Sequence, residues 1–472
     1  MEPRHQHDVV VVGHGAAGLA AALAAAQTDP SARVAVLERT GESASGGGTR
    51  WSPSNLRMKS TGELAPGFEE DMRTASQGQG DAAYFRRLAA EAPATLRWVE
   101  AQGVRFHSPG YYLSAGPPRI QPIGGGAAIV EALKRAAKSA GVAFHYGLSA
   151  QQLTISPAGR ITGVEAVSAD GTRTRIDANA VVLATGGFQG NPEMLRAHLG
   201  EGAESLRPIS PGSASNTGEG IRLALEAGAL RSGDWEGMHS EPVDPRSQGP
   251  APVVLVYPYG IVVDRNGRRF CDEGAGLVHE TWETFSRAIH FSVPGRKAWA
   301  ILDSGLASIA GYERAIRSEV PPLRAGTLGE LAGLAGIERQ GLLDTVAAYN
   351  AACMGDANVF DATVADGLST TALDPPKSHW ARALASPPFL AWPLVGAIAY
   401  TFGGLATNER AEVLGAQGPL PALYAAGEIT GHFYGSAPNA VAVLRALVFG
   451  RIAGIAAAAY SISKQPRQRQ ER

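Results

Sequence analysis

The sequence predicts an α/β chain: a doubly wound parallel sheet whose first and last parts are separated by an inserted α+β segment. Three observations carry this. Residues 8 to 18 read Asp-Val-Val-Val-Val-Gly-His-Gly-Ala-Ala-Gly, and four successive valines, Val9 to Val12, suit a strand buried on both faces, as in the middle of a parallel sheet. Arg33 to Glu38 reads as a second buried strand, ending in an acid 25 positions after Gly13. From about His239 the texture changes, with prolines at 242, 245, 250, 252 and 258, and the style of the first half returns near Tyr400.

Gly13, Gly15 and Gly18 stand at the G-x-G-x-x-G spacing. Gly13 allows the tight turn, Gly15 lets a pyrophosphate approach the backbone, and Gly18 lets the next helix pack on the strand. That helix, Ala16 to Gln27, offers free amides and a positive dipole end to phosphate. Glu38 stands where a ribose hydroxyl is held in such units. The pattern is that of a Rossmann-like dinucleotide-binding unit.

At 472 residues the chain has room for two or three domains. Its net charge of −2 gives no electrostatic case for nucleic acid or an anionic membrane. Two cysteines, Cys271 and Cys353, supply neither a metal cluster nor a disulfide framework. No apolar run precedes the first strand, so a cytoplasmic location is expected. Ala440 to Ser463 is apolar, but Arg445 and Arg451 interrupt it, and it reads as a buried helix rather than a span. Lys464 to Arg472 is polar and expected to be disordered.

Along the chain, Ser43 to Arg50 is a glycine-rich loop whose amides could line a second part of an extended cofactor. Tyr84 to Ala101 is an amphipathic helix pattern with a break expected near Pro93, and Gly126 to Ala140 is another. Short strands follow at Val142 to Tyr146 and Ile161 to Val167, with a turn at Asp170-Gly171. Ala180 to Gly187 is a buried strand closing on small residues. Asn216-Thr-Gly-Glu-Gly220 opens a helix with Glu219 in its first turn, either a favourable helix start or a partner for a ribityl or ribose hydroxyl. Helical patterns at Leu328 to Leu334 and Leu342 to Cys353 belong to the inserted block.

Several segments together resemble the flavoprotein subunits of fumarate reductase and succinate dehydrogenase, with the ketosteroid dehydrogenases as cousins. They are Gly13 to Gly18, Glu38-Arg39, Ala184-Thr-Gly-Gly187, Asn216 to Gly220, Gly267-Arg-Arg-Phe-Cys-Asp-Glu273, Thr401-Phe-Gly-Gly-Leu405, Leu423-Tyr-Ala-Ala-Gly-Glu428 and Phe449-Gly-Arg-Ile-Ala-Gly454. Within that superfamily, Gly47-Gly-Thr-Arg50, Asn55-Leu-Arg57, Asp272-Glu-Gly274, Pro375 to Trp380 and Val443 to Gly450 resemble the tricarballylate dehydrogenase branch.

The resemblance implies an FAD domain from residues 1 to 236 and 386 to 463, with a capping domain at 237 to 385. It implies FAD held by Gly13, Gly15, Ala16, Ala17, Gly18, Glu38, Arg39, Gly46, Gly47, Gly48, Thr49, Ala184, Thr185, Gly186, Glu219, Gly427, Glu428, Val443 and Leu444. Ala44 to Thr49 contains no histidine, so the tether some relatives use is not expected and FAD should be noncovalent. The resemblance also implies a membrane-associated redox partner, although the electron acceptor cannot be named from the sequence.

The sequence departs from the fumarate-reducing pattern. The proton-donating arginine of the cap falls on Leu277, the histidine before Thr-x-Gly-Gly falls on Tyr400, and Tyr434 to Asn439 carries no carboxylate-gripping arginine. Only His239 matches a family active-site histidine. Taking a hydride from one carbon leaves its neighbour to lose a proton, which requires a base and an electrophilic partner for an adjacent carbonyl or carboxylate oxygen. His239, Tyr400 and Tyr434 are the candidates, a tyrosine serving as base or as neutral donor. Arg445 and Arg50, and also Arg57 and Arg269, are candidate carboxylate clamps. The sequence therefore predicts an FAD-dependent dehydrogenase forming or reducing a C=C bond beside a carboxylate or ketone of a small substrate, tricarballylate-like. A ketone desaturase using the tyrosines, or an electron-transfer subunit without substrate chemistry of its own, are the alternatives.

Overall fold

The computed structural model describes residues 4–109, 113 and 116–464. The tail over 464–472, expected to be disordered, lies from 465 on outside the described residues. In chain order the first part contains β1 (Arg4–Val12), α1 (Ala16–Thr28), β2 (Val34–Glu38), α2 (Gly47–Trp51), α3 (Ala82–Ala101), α4 (Gly125–Ser139), β3 (Ala143–Tyr146), β4 (Leu148–Ile155), β5 (Ile161–Ser168), β6 (Arg173–Leu183) and α5 (Glu219–Glu226). The middle contains β7 (Met238–Val243), β8 (Ile261–Val263), α6 (Val278–Ser292), β9 (Ala298–Leu302), β10 (Leu323–Ala325), α7 (Leu328–Ala335), α8 (Arg339–Ala352) and β11 (Phe389–Thr401). The chain closes with β12 (Glu412–Gly415), β13 (Gly418–Ala425) and α9 (Ala442–Lys464).

The first sheet runs β12-β13-β6-β1-β2-β3, with β5 and β4 extending it beyond β6. β1 lies parallel between β6 and β2, Val10 opposite Val181 on one side and Ala35 on the other. Val9 to Val11 have no exposed surface, because layers cover both faces of the sheet. One layer is α1 packed on α9. Its interface is made of small residues: a Cβ added at Gly450 or Gly454 would lie 2.4 Å from the carbonyl of Ala17 or 2.1 Å from that of Ala21. α9 is long and apolar enough to cross a membrane by composition, yet most of that stretch is buried inside the fold.

Two local expectations are corrected. α3 runs through Pro93 without a break. A proline inside a helix costs about 3 kcal/mol, and the buried stripe of Tyr84, Phe85, Leu88, Ala92, Leu96 and Val99 outweighs it. The glycine-rich segment at 46 to 50 is not an open loop; it winds into α2 behind Gly46, whose φ of 119° suits glycine alone.

The second sheet is built on β11, which pairs with β7, β9, β10 and the two-residue strand Arg207–Pro208, while β8 joins through β9. By hydrogen bonding, then, Phe389–Thr401 belongs to the cap's sheet, although the sequence reading placed everything from 386 on with the FAD domain. An apolar run reads alike in either sheet, and only its pairing decides. Because β11 ends at Thr401, where the chain returns toward the first sheet, residues at its C-terminal end lie where the two layers meet.

Candidate functional site

A continuous cavity of about 990 Å³ runs from the carboxyl ends of β1, β2 and β6 to the underside of the cap. This is the place where open α/β sheets hold ligands. Its floor begins at Gly13, with φ of 110°, where an added Cβ would lie 2.3 Å from the carbonyl of Ala184. Gly18 closes the same turn from below, an added Cβ there lying 2.0 Å from the carbonyl of Gly13. At Gly15 the reverse holds: nothing lies nearer than 3.9 Å to an added Cβ, and the position faces the cavity beside Thr49.

The groove along this floor fits an extended dinucleotide. The N-terminus of α1 opens at Ala16, whose amide donates to Thr49 Oγ1 at 3.3 Å, so the starts of α1 and α2 lie together on the cavity wall, where helix N-termini favour phosphate. Glu38 lines the far side, one carboxylate oxygen held by the Thr40 amide and hydroxyl at 2.8 and 2.7 Å. Arg39 bonds Glu219 and Thr217, both at 2.7 Å, which fixes Glu219 at the groove's rim. Gly47, Gly48, Thr49, Ala184, Thr185, Gly186, Gly427 and Val443 complete the lining. Gly46 and Leu444 do not reach it: Gly46 caps α2, and Leu444 is packed into the core. Glu428 is half-buried and accepts from the Thr401 amide at 3.1 Å, Asn216 at 3.1 Å and Gln189 at 3.3 Å. Burial raises its pKa, against the pull of those donors. It ties β11, the loop after β6 and the 216 loop together beneath the groove.

At the cap end, His239 is held between two carboxylates, Nδ1 to Glu283 at 2.5 Å and Nε2 to Glu241 at 3.3 Å. Burial alone would lower its pKa, but hydrogen bonds and charge from Glu241 and Glu283 together push it up to about 10. His239 is therefore an imidazolium near neutrality, which suits it to the electrophilic one of the two roles for which it was a candidate. Its ring stacks on Tyr400 with centroids 4.9 Å apart. Burial, then the charge of Glu283, raises the Tyr400 phenol well above its usual range, against the opposing charge of Arg445. Tyr400 is accordingly a neutral donor and not a base.

The other candidates divide. Tyr434 does not line the cavity; its hydroxyl accepts from the Gly233 amide at 3.0 Å and meets Ser232 at 3.3 Å. Arg50 lines the cavity but pairs with Glu131 at 2.7 Å. Arg445 lines the cavity, is 1% exposed, donates to the Thr430 carbonyl at 3.1 Å and lies over Phe433. Arg269 is spent on a buried pair with Glu273 at 2.6 Å away from the cavity. Arg57 does line it.

Several lining residues escaped the sequence reading. Glu241 was detectable, two positions from His239 on one strand and so on the same face. Glu283, Arg119, His279 and Arg317 come from distant segments and carry no local signal.

Comparison with known proteins agrees with this construction. Residues 8–441 match the family model described as FAD binding domain. The chain is 29% identical over 476 residues to "Fumarate reductase (cytochrome)" of Shewanella frigidimarina, covering 97% of this chain and 78% of that one. It is 27% identical to "4-oxocyclohexanecarboxylate 2-dehydrogenase" of Sinomonas cyclohexanicum, covering 96% and 93%. Among solved structures it resembles the open conformation of a flavocytochrome c3 fumarate reductase, with TM-score 0.80, 27% identity and coverage of 98% and 79%. It shares its fold with 3-ketosteroid-Δ4-(5α)-dehydrogenase from Rhodococcus jostii RHA1, with TM-score 0.70, 24% identity and coverage of 97% and 100%. With its groove built for a dinucleotide and the match spanning nearly its whole length, the chain belongs to this FAD-binding family and is an FAD-dependent oxidoreductase.

Proposed function

We propose that the protein forms or reduces a C=C bond adjacent to a carboxylate or ketone in a small organic acid, with tricarballylate-like polycarboxylates as the nearest substrates. The observation that carries this is the pairing of a neutral phenol, Tyr400, with an imidazolium, His239, on the wall where the cap meets the dinucleotide groove. Bound FAD supplies the two-electron partner for a hydride. The proton that leaves the neighbouring carbon on dehydrogenation would go to the Glu241 carboxylate, and on reduction it would come from the His239 imidazolium beside it.

Breaking or making a C–H bond beside a carbonyl places negative charge on the carbonyl oxygen, and a preorganised donor lowers the barrier in proportion. Tyr400 holds its proton and can donate it as a hydrogen bond to that oxygen. His239 keeps Tyr400 in place by stacking, and its longer bond, Nε2 to Glu241, is the one a substrate oxygen could replace. Cap residues His279, Trp282 and Glu283 wall the cavity on this side and would limit the access of water to the developing charge. Relatives named for fumarate, urocanate and 4-oxocyclohexanecarboxylate support a conjugated acid or keto acid.

The test is anaerobic: the FAD-loaded protein is mixed with tricarballylate or 4-oxocyclohexanecarboxylate, and the reduced form with fumarate or urocanate. Bleaching or reoxidation of the flavin by at least one is expected. No reaction with any of them contradicts the reading.

A further inference from the structure

The segment before α9, Tyr434 to Asn439, contains no arginine, Arg50 is paired with Glu131, and Arg445 lines the cavity with one hydrogen bond to the Thr430 carbonyl. Another pair of guanidinium groups reaches the same place from elsewhere. Leu56 and Ile120 form an isolated antiparallel bridge, exchanging backbone hydrogen bonds of 2.8 and 3.0 Å. In such a pair, the residue after one partner and the residue before the other stand side by side on the opposite face. Those residues are Arg57 and Arg119.

Leu56 and Ile120 turn inward and belong to the hydrophobic core. Arg57 and Arg119 turn the other way, line the cavity, and are 7% and 6% exposed. Arg57 meets the carboxylate of Asp71, donates to the Asn439 carbonyl at 3.4 Å, and keeps a buried Nε without a hydrogen-bond partner. Its backbone amide also donates to the carbonyl of Ala440 at 2.9 Å, which anchors it against the loop leading into α9. Above the pair, His279 descends from the first turn of α6 in the cap and lines the same cavity. It is close enough for the charges of Arg119 and Arg57 to bear on its ionisation. Two nearly buried guanidinium groups side by side are an arrangement that a planar carboxylate fits by bidentate hydrogen bonding.

We propose that Arg57 and Arg119, roofed by His279, form the carboxylate-binding end of the substrate site, supplying from residues 57 and 119 the grip that the chain lacks before α9. The inference rests on the proposed function and narrows it: the substrate carries a carboxylate, held against the Arg57 face, while its reacting carbons lie toward Tyr400. Asp71 competes with that carboxylate for Arg57.

The experiment is a calorimetric titration of the FAD-loaded protein with tricarballylate, succinate, 4-oxocyclohexanecarboxylate and the uncharged methyl ester of the last. The unaltered protein should bind at least one free acid, and bind the ester much more weakly than its acid. Arg57→Met should weaken acid binding by roughly ten- to a hundredfold, the size expected for a lost hydrogen bond between charged groups, and leave the ester unchanged. Asp71→Asn should tighten acid binding, a gain that a merely structural Arg57 would not produce. Arg119→Lys guards against misfolding of the methionine variant: it keeps the charge and loses the bidentate geometry, so it should weaken the acids by a smaller factor. Failure of every acid to bind overturns the proposal, as does binding that is indifferent to Arg57 and Asp71. Acids that bind through Arg57 but never bleach the flavin would uphold this site and contradict the proposed reaction, so the two failures are separable.

Discussion

His239 carries a proton because Glu241 and Glu283 outweigh its burial, and the consequence is measurable. Its folded pKa, about 10, lies above the ordinary value of 6.5. A group raised in this way adds stability that is fully present below pH 6.5 and is lost as pH rises through about 10. Glu283→Gln removes the nearer carboxylate, so the alkaline loss of thermal stability should begin at lower pH; melts between pH 7 and 10.5 report it, and an unchanged profile contradicts the assignment. Tyr400→Phe should lower turnover by about a hundredfold, the usual cost of one oxyanion donor, while the bound flavin's spectrum stays as it was; steady-state rates on a responsive acid decide. At this scale the sequence was only partly legible. His239 and Tyr400 could be picked out in line with the motifs around them, and the structure brings them into contact. Glu283 could not, because it approaches from a helix 44 positions away. Tyr434, Arg50 and Arg445 looked equally suited to chemistry, but a sequence does not reveal that each is already engaged by Gly233, Glu131 and Thr430.

Among the elements, the β1-turn-α1 unit was readable nearly residue by residue, since glycine spacing and valine runs are local. Gly15→Val tests it. The side chain would enter the groove without striking the fold, so the protein should fold and melt near normally but purify without yellow colour; full FAD retention contradicts the groove's assignment. The pairing of α1 with α9 depends instead on distant small residues. Gly454→Val should lower stability by about 1–3 kcal/mol or more through overpacking against the Ala21 backbone, seen as a reduced denaturant midpoint. Elements whose fate was decided by tertiary contacts were the ones misread. α3 passes through Pro93 because its apolar stripe is buried, and Phe389–Thr401 joins the cap because β7, β9 and β10 pair with it.

Over the whole molecule, the two sheets place one cavity between them, with a dinucleotide groove at one end and charged residues from both layers at the other. The fold is also sensitive to acid at its first turn. His14, in the glycine loop, is 1% exposed and touches the Tyr146 hydroxyl at 3.3 Å. Burial, with a smaller contribution from the charge of Lys134, lowers its pKa to about 4. The folded state favours its neutral form, so the stability it supports is present above pH 6.5 and lost as pH falls toward 4. The loss is on the order of 3 kcal/mol, and His14→Gln should flatten the acid limb of the stability curve. The most direct measurement of the central claim is the visible spectrum of the purified protein under anaerobic titration with conjugated and saturated small carboxylic acids. A flavin band near one per chain that is bleached by a saturated acid, or restored by an unsaturated one, is the predicted result. A tightly bound flavin indifferent to all of them would contradict it.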